Sequence, residues 1–133
     1  MRLARILSLG GRHDAALVEL AAVPPQDDPV LAYYACLVRG DIERALARYD
    51  AAQRSYEQAL GLFPAAQSAR LALSHLARRR SDRDGALIVL QPALTAPVPR
   101  NDDPWWDYHR GDGRNIETLF RKLRAPFRAT VPQ

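Results

Sequence analysis

Cysteine is nearly absent from this chain of 133 residues, and its single copy, Cys36, excludes an internal disulfide framework. The chain also lacks an apolar run near the ~20 residues of a membrane-spanning helix. It has no charged start followed by an apolar core and a cleavage site, as secretory signals have. With hydrophobic residues at 47% and charged residues at 26%, the composition is typical of globular proteins. We therefore expect one cytoplasmic domain.

The patterns that accompany catalysis or metal binding are missing as well. No cysteine or carboxylate stands at ligand spacing around the three histidines, which are His13, His75 and His109. Gly10 and Gly11 lack the spacing and the lysine of a phosphate-binding loop. We expect no enzymatic activity, no cofactor and no metal site.

Two further polar features have simple structural interpretations. Cys36 lies between Ala35 and Leu37 on a predicted helix, where a small buried side chain is the expected role. Asp102 and Asp103 do not follow a calcium-loop pattern. We interpret them as capping or solvated residues.

The net charge of +4 is concentrated near the C-terminal end of the sequence. Residues 110–128 hold six of the 19 basic residues and two of the 15 acidic ones, so the rest of the chain is neutral. Lysine occurs once, at Lys122, and every other basic residue is arginine. The abundance of alanine and arginine indicates a bacterial source with a GC-rich genome.

The chain resembles itself when it is shifted by 34 residues. The matching pairs are Leu37–Leu71, Asp50–Asp84, Ala52–Ala86, Ala59–Ala93 and Leu60–Leu94. These matches fall at helical spacing, and the turn signals repeat with them, as in helical repeat proteins. No stretch shows the sustained period-two alternation of a half-buried strand. The sequence therefore predicts an all-α chain built from repeated helix pairs.

Clusters of glycine, proline and aspartate divide the chain into eight helices. Asp28 and Pro29 have the N-cap and first-turn chemistry of a helix start, and Asp50 is placed to cap the helix that follows. The predicted helices are a short one before Gly10, then about 14–23, 29–47, 51–62, 65–79 and 84–94, a short one to Arg110, and 114–124. A loop over about 95–103 is the predicted flexible linker.

The sixth predicted helix contains a proline. Pro92 has no amide to bond with the carbonyl of Ile88, which predicts a kink or an early end there. The apolar stripe of this helix consists of Leu87, Leu90 and Leu94, and we expect it to face the core.

Residues 49–64 resemble the second half of a tetratricopeptide repeat. The residues that carry the likeness are Ala52, Tyr56, Ala59 and Pro64, with Gly40 at the glycine position of the preceding helix, and Leu73, Ser74, Ala86 and Ala93 in the next repeat. The clear match covers about 33–98. The chain departs from the pattern at Arg39, Glu43 and Val98, where the family has leucine, tyrosine and proline.

This resemblance implies an all-α fold, a right-handed α-solenoid of about four antiparallel helix pairs. The units would cover about 1–25, 29–64, 65–98 and 102–125 of a single domain, with a flexible tail over 126–133. Because the opening helix is short, we expect that the chain is a piece of a longer protein. Its first unit would then be half-exposed and would pair with another copy of the chain or with the missing sequence. The partner would otherwise be another protein or peptide.

In tetratricopeptide arrays, the first helix of each pair lines a concave groove that holds a partner segment. The positions carried over to this chain are Tyr34, Leu37, Asp41, Arg44 and Ala45 from the second unit, and Ser68, Leu71, His75, Arg78 and Arg79 from the third. The run Arg78–Arg80 favours an acidic partner through paired hydrogen bonds. The alternative interpretation is an ordinary solvated helix end, where cations suit the helix dipole.

Two features near the C-terminus have alternative interpretations. The run Trp105, Trp106, Tyr108 and His109 either anchors the last helix pair or forms an interface. The basic helix over 114–124 either caps the solenoid or binds phosphates or an anionic membrane through Arg121, Lys122 and Arg124. In both cases we expect the anchoring and capping role, and therefore no binding of nucleic acid or membrane.

Overall fold

A computed structural model describes residues 2–22, 28–95 and 103–105. The part that it describes contains six helices and no strand, which confirms the all-α prediction. The helices are α1 (Arg2–Leu9), α2 (His13–Ala21), α3 (Pro29–Ala45), α4 (Tyr49–Leu62), α5 (Gln67–Arg79) and α6 (Arg83–Thr95). All six belong to one compact unit, Met1–Asp103. A second unit, Pro104–Gln133, is described only at Pro104 and Trp105, and both of these residues are half-buried.

The helices pack mainly against their neighbours in sequence. The most extensive contacts join α1 to α2, α3 to α4 and α5 to α6, and smaller ones join α2 to α3 and α4 to α5. The largest fully buried side chains are Tyr33, Ile42, Tyr56 and Leu76. The small residues expected at the helix crossings are also buried, among them Ala52, Ala59 and Ala86. The core therefore lies between successive helices.

The three turns within the helix pairs share one hydrogen-bonding pattern. Each contains a residue with positive φ: Gly11 at 76°, Ala47 at 57° and Ser81 at 63°. The amide of the next residue donates to the carbonyl five positions earlier, as Arg48 does to Glu43 at 2.8 Å. The same bond joins residues 12 and 7, and residues 82 and 77. This left-handed closure ends each first helix.

These turns correct three predicted helix boundaries. Because Ala47 takes a left-handed conformation, α3 ends at Ala45 and not at residue 47. Asp50 is not the cap of α4, since the helix begins at Tyr49 and Asp50 lies in its first turn. The cap of α6 is Asp82, whose Oδ1 accepts from the Gly85 amide at 2.8 Å. The predicted start of α3 is confirmed, because Oδ1 of Asp28 accepts from the amide of residue 30 at 2.8 Å.

The sixth helix differs from its prediction in two ways. It continues past Pro92 to Thr95, so the predicted early end is wrong. The stripe expected to face the core is largely exposed, with Leu87 at 64% and Leu94 at 75% of full exposure, while Leu90 is half-buried. The unit that we expected to cover this stripe, about 102–125, lies almost wholly outside the described residues.

Candidate functional site

Helices α3, α4 and α5 line an open surface hollow of about 250 Å³, which we call the α3–α5 hollow. Its lining consists of Asp41, Arg44, Tyr56, Leu71, Ala72 and His75. Four of these residues were predicted from the sequence as partner-binding: two lie on α3 and two on α5. The predicted set also includes residues that the structure places elsewhere.

A hydrogen-bonded cluster forms one side of the α3–α5 hollow. The Tyr56 hydroxyl donates to Oδ1 of Asp41 at 2.7 Å, and Nη2 of Arg44 lies 3.6 Å from the same oxygen. Burial opposes the positive charge of Arg44, but the hydroxyl of Tyr56 and the carboxylate of Asp41 outweigh it and raise the pKa of the guanidinium. Arg44 is therefore a cation whose charge Asp41 largely balances. Tyr56 was not among the residues predicted for the site, because its spacing indicated a core residue.

The buried position of Tyr56 predicts a loss of stability in alkali. Burial, and then the negative charge and hydrogen bond of Asp41, raise the pKa of Tyr56 well above its ordinary 10.0. Above about pH 10, the Tyr56 hydroxyl loses its proton in the unfolded chain but keeps it in the folded chain. The unfolded state then binds fewer protons, so the free energy of unfolding falls as the pH rises. At about pH 11, relative to about pH 9, Tyr56 alone lowers the free energy of unfolding by about 1.4 kcal/mol.

Urea denaturation at the two pH values, for wild type and Tyr56→Phe, measures this difference. Tyr33 contributes equally to both proteins and cancels. If the two proteins lose the same stability between the two pH values, then Tyr56 does not keep its proton in the folded state.

Two predicted groove residues are in the core. Tyr34 is 9% exposed and Leu37 is 3% exposed, so neither side chain is available to a partner. The reason is that α3 packs against both α2 and α4. The ring of Tyr34 lies 6.1 Å from that of Tyr33, at an angle of 51°. The exposed part of α3 near the α3–α5 hollow is the segment from Asp41 to Ala45, with Ile42 turned to the core.

The two predicted arginines of α5 also lie apart from that hollow. Arg78 lines a second hollow of about 350 Å³, the α5–α6 hollow, together with Ser74, Arg83, Ala86, Leu87 and Leu90. Arg79 is exposed in the last turn of α5. Neither Arg78 nor Arg79 forms an ion pair with a residue that the structure describes.

A buried carboxylate occupies the end of α5 opposite to these arginines. Asp103 is 3% exposed; its Oδ1 accepts from the Tyr33 hydroxyl at 3.0 Å and its Oδ2 from the Ser68 amide at 2.7 Å. Ser68 is the second residue of α5, and the residue at the N-cap, Ala66, offers no side-chain acceptor. The capping role expected for Asp103 is thus seen on a helix that starts 36 residues earlier. Ser68, predicted to line the groove, is half-buried and engaged through its backbone.

The described residues give little support for a reactive thiol, a metal site or a membrane-spanning helix. Cys36 is half-buried with Sγ 4.0 Å from Oε1 of Gln58, and burial raises the pKa of its thiol, which favours the protonated form over a nucleophilic thiolate. The searched part of the chain holds no group of three or more His, Cys, Asp or Glu residues able to bind a metal ion. None of the described helices is both long and apolar enough to cross a membrane.

Several predicted features lie outside the described residues. These are Trp106, Tyr108, His109 and the basic helix over 114–124 with Arg121, Lys122 and Arg124.

On α1, Leu3, Ile6 and Leu9 are exposed by 52%, 65% and 80%. Self-association through this unit stays a prediction, which sedimentation over a range of concentrations would check.

Comparisons of the chain with family models, with curated proteins and with solved structures find no match.

Proposed function

We propose that this chain is a non-enzymatic protein-interaction module of tetratricopeptide type that binds a segment of a partner protein along α3 and α5. The observation that carries the proposal is the α3–α5 hollow. Asp41 and Arg44 of one helix lie beside Leu71 and His75 of the other, with one cavity between them. The helix pattern of the family implies a shared partner-binding face at these positions.

The repeated geometry of the helix pairs supports a solenoid. The left-handed turn residues Gly11, Ala47 and Ser81 stand 36 and 34 residues apart, close to the sequence period of 34. Each turn closes with the same hydrogen bond, and each pair packs on the next in sequence order. Stacking of equivalent pairs is what generates a right-handed superhelix with a concave face in this family.

The charges in the last turn of α5, beyond the α3–α5 hollow, favour an acidic partner. Arg44 is balanced by Asp41 at 3.6 Å, whereas Arg78 and Arg79 form no ion pair with the residues that the structure describes. The last turn of α5 therefore supplies two positive charges that a partner carboxylate can use. Leu71, 51% exposed, adds an apolar contact in the α3–α5 hollow.

Site-specific photo-crosslinking tests the proposal directly. A photoreactive benzoylphenylalanine at Leu71 is expected to capture a discrete protein from nuclease-treated lysate of cells that express the chain. The matched control replaces Leu62, another exposed leucine, which lies at the end of α4 and lines neither hollow. The captured protein should bind the Leu71→Asp variant about tenfold more weakly than wild type, because a charge then enters an apolar contact.

The opposite results would contradict the proposal. Equal crosslinking at both positions, or none at Leu71, would show that the α3–α5 hollow does not face a partner. Loss of the captured material on nuclease treatment, together with loss on charge reversal at Arg121, Lys122 and Arg124, would favour nucleic-acid binding by the basic C-terminal segment instead.

A further inference from the structure

The α5–α6 hollow combines two cations with an apolar wall. Arg78 comes from the last turn of α5 and Arg83 from the first residue of α6, on either side of the tight turn. Ala86, Leu87 and Leu90 of α6 supply the apolar lining, and Leu87 is 64% exposed. Its volume of about 350 Å³ lies at the small end of the range of ligand pockets. The hollow is therefore large enough for one or two side chains of a partner segment.

The sequence period shows how this hollow differs from the α3–α5 hollow. A shift of 34 residues takes Arg44 to Arg78, Asp41 to His75, and Tyr56 to Leu90. In the first hollow the arginine lies 3.6 Å from a carboxylate that also accepts a hydrogen bond from the tyrosine. In the second, Leu90 stands at the position of the tyrosine, and none of the described residues that line the cavity is acidic. His75, at the shifted position of the aspartate, lines the first hollow instead. Among the described residues, Arg78 therefore lacks the balancing carboxylate that Arg44 has in Asp41.

A second cation strengthens the positive potential at this place. Arg83 has no counterpart in the first hollow, where the shifted position is Tyr49. Neither Arg78 nor Arg83 forms an ion pair with a residue in the described part of the chain. Two guanidinium groups beside an apolar wall can bind a ligand in which a carboxylate lies next to an apolar group.

We propose that the α5–α6 hollow binds an acidic residue next to a large apolar residue in a partner segment. The carboxylate pairs with Arg78 and Arg83, and the apolar side chain lies against Leu87 and Leu90. The assignment rests on the proposed function in that the occupant belongs to a partner protein. It adds the site that selects the charge, which is distinct from the α3–α5 hollow.

Titration of the full chain with short peptides of defined sequence tests this assignment. The probe is an acetylated and amidated peptide with Glu–Leu at its centre and glycine on both sides, observed through the methyl NMR signals of Leu71, Leu87 and Leu90. We expect saturable shifts at Leu87 and Leu90, and affinity about tenfold lower for the matched Gln–Leu peptide, because it removes a charged hydrogen bond. A Lys–Leu peptide should cause no saturable shift, and added salt should weaken the Glu–Leu peptide.

Variants of the chain provide the second arm. Arg78→Gln/Arg83→Gln should lower the affinity for the Glu–Leu peptide at least tenfold, whereas Arg54→Gln, an exposed arginine on α4 outside both hollows, should not change it. Helical circular dichroism checks that the variants fold.

The outcomes separate this inference from the proposed function. Equal binding of the Gln–Leu and Glu–Leu peptides, or unchanged affinity in the double variant, overturns the inference. Saturable shifts confined to Leu71 also overturn it, while the binding face of the proposed function stands. If the photoreactive residue at Leu71 captures a partner but the Glu–Leu peptide causes no shift at Leu87, the inference is again overturned and the proposed function stands. Shifts at Leu87 and Leu90 that require both arginines and the glutamate support it.

Discussion

Replacing Gly40 with alanine is expected to lower the free energy of unfolding by about 3 kcal/mol, since overpacking of a filled core costs about this much. A methyl group at this position would overlap the ring of Tyr56, with Cδ1 only 2.6 Å away. The ring is 1% exposed, and its hydroxyl donates to Asp41 at 2.7 Å, so displacing the ring would also disturb this hydrogen bond. The helices α3 and α4 would have to separate, which disturbs the packing between them.

The same change at Gly61 provides the control. Gly61 lies in α4, and a methyl group there would meet no atom within 4 Å. Alanine should therefore stabilise the helix by about 0.5–1 kcal/mol, through its better helix propensity and a less flexible unfolded chain. Urea denaturation followed by circular dichroism measures both variants. Equal effects at the two positions would show that α3 and α4 are not in close contact at Gly40.

The helix pairs could be predicted because their signals are local. Apolar spacing and the Asp28–Pro29 start involve residues that are near in sequence, and the period of 34 residues repeats such local signals. Gly40 was also correctly placed at a helix crossing, since only a very small residue permits a close approach of two helices. The all-α class and the approximate extents of α1 to α6 follow from such signals.

The predicted helix boundaries were less accurate, because two of the turns contain residues that are not typical of turns. Left-handed backbone is usually marked by glycine, as at Gly11, but Ala47 and Ser81 take the same conformation. The helices after these turns start earlier than expected, α4 by two residues and α6 by one. Pro92 did not end α6, since the loss of one amide is a local cost that the rest of the helix outweighs.

The candidate site was predicted in part. The family pattern placed Asp41, Arg44, Leu71 and His75 on one face, and the structure brings all four to one hollow. It could not show that Tyr34 and Leu37 are buried, because burial depends on how many helices surround α3. Likewise, that Arg78 lines the α5–α6 hollow and Arg79 does not depends on where α6 packs. Neither result can be predicted from the sequence of one helix.

Loss of the Asp103 carboxylate is expected to lower the free energy of unfolding by about 3 kcal/mol. Asp103→Ala leaves the Tyr33 hydroxyl and the Ser68 amide without their acceptor, and each hydrogen bond to a charged group contributes about 1.5–3 kcal/mol. The negative charge also lies at the N-terminus of α5, where the helix dipole stabilises it. The residue connects α3 and α5, so its loss removes a link between successive helix pairs.

A matched control separates this buried link from ordinary helix capping. Asp28→Ala removes an exposed N-cap, the acceptor for the α3 amide at 2.8 Å, and should cost about 1 kcal/mol. A double-mutant cycle of Asp103→Ala with Tyr33→Phe should show a coupling free energy of about 1 kcal/mol or more, because the two groups share one hydrogen bond. If Asp103→Ala costs no more than Asp28→Ala, or the two changes are additive, then Asp103 does not connect α3 to α5. A large cost with clear coupling would mean that residues beyond α6 fix the arrangement of the two helices whose exposed faces line the α3–α5 hollow.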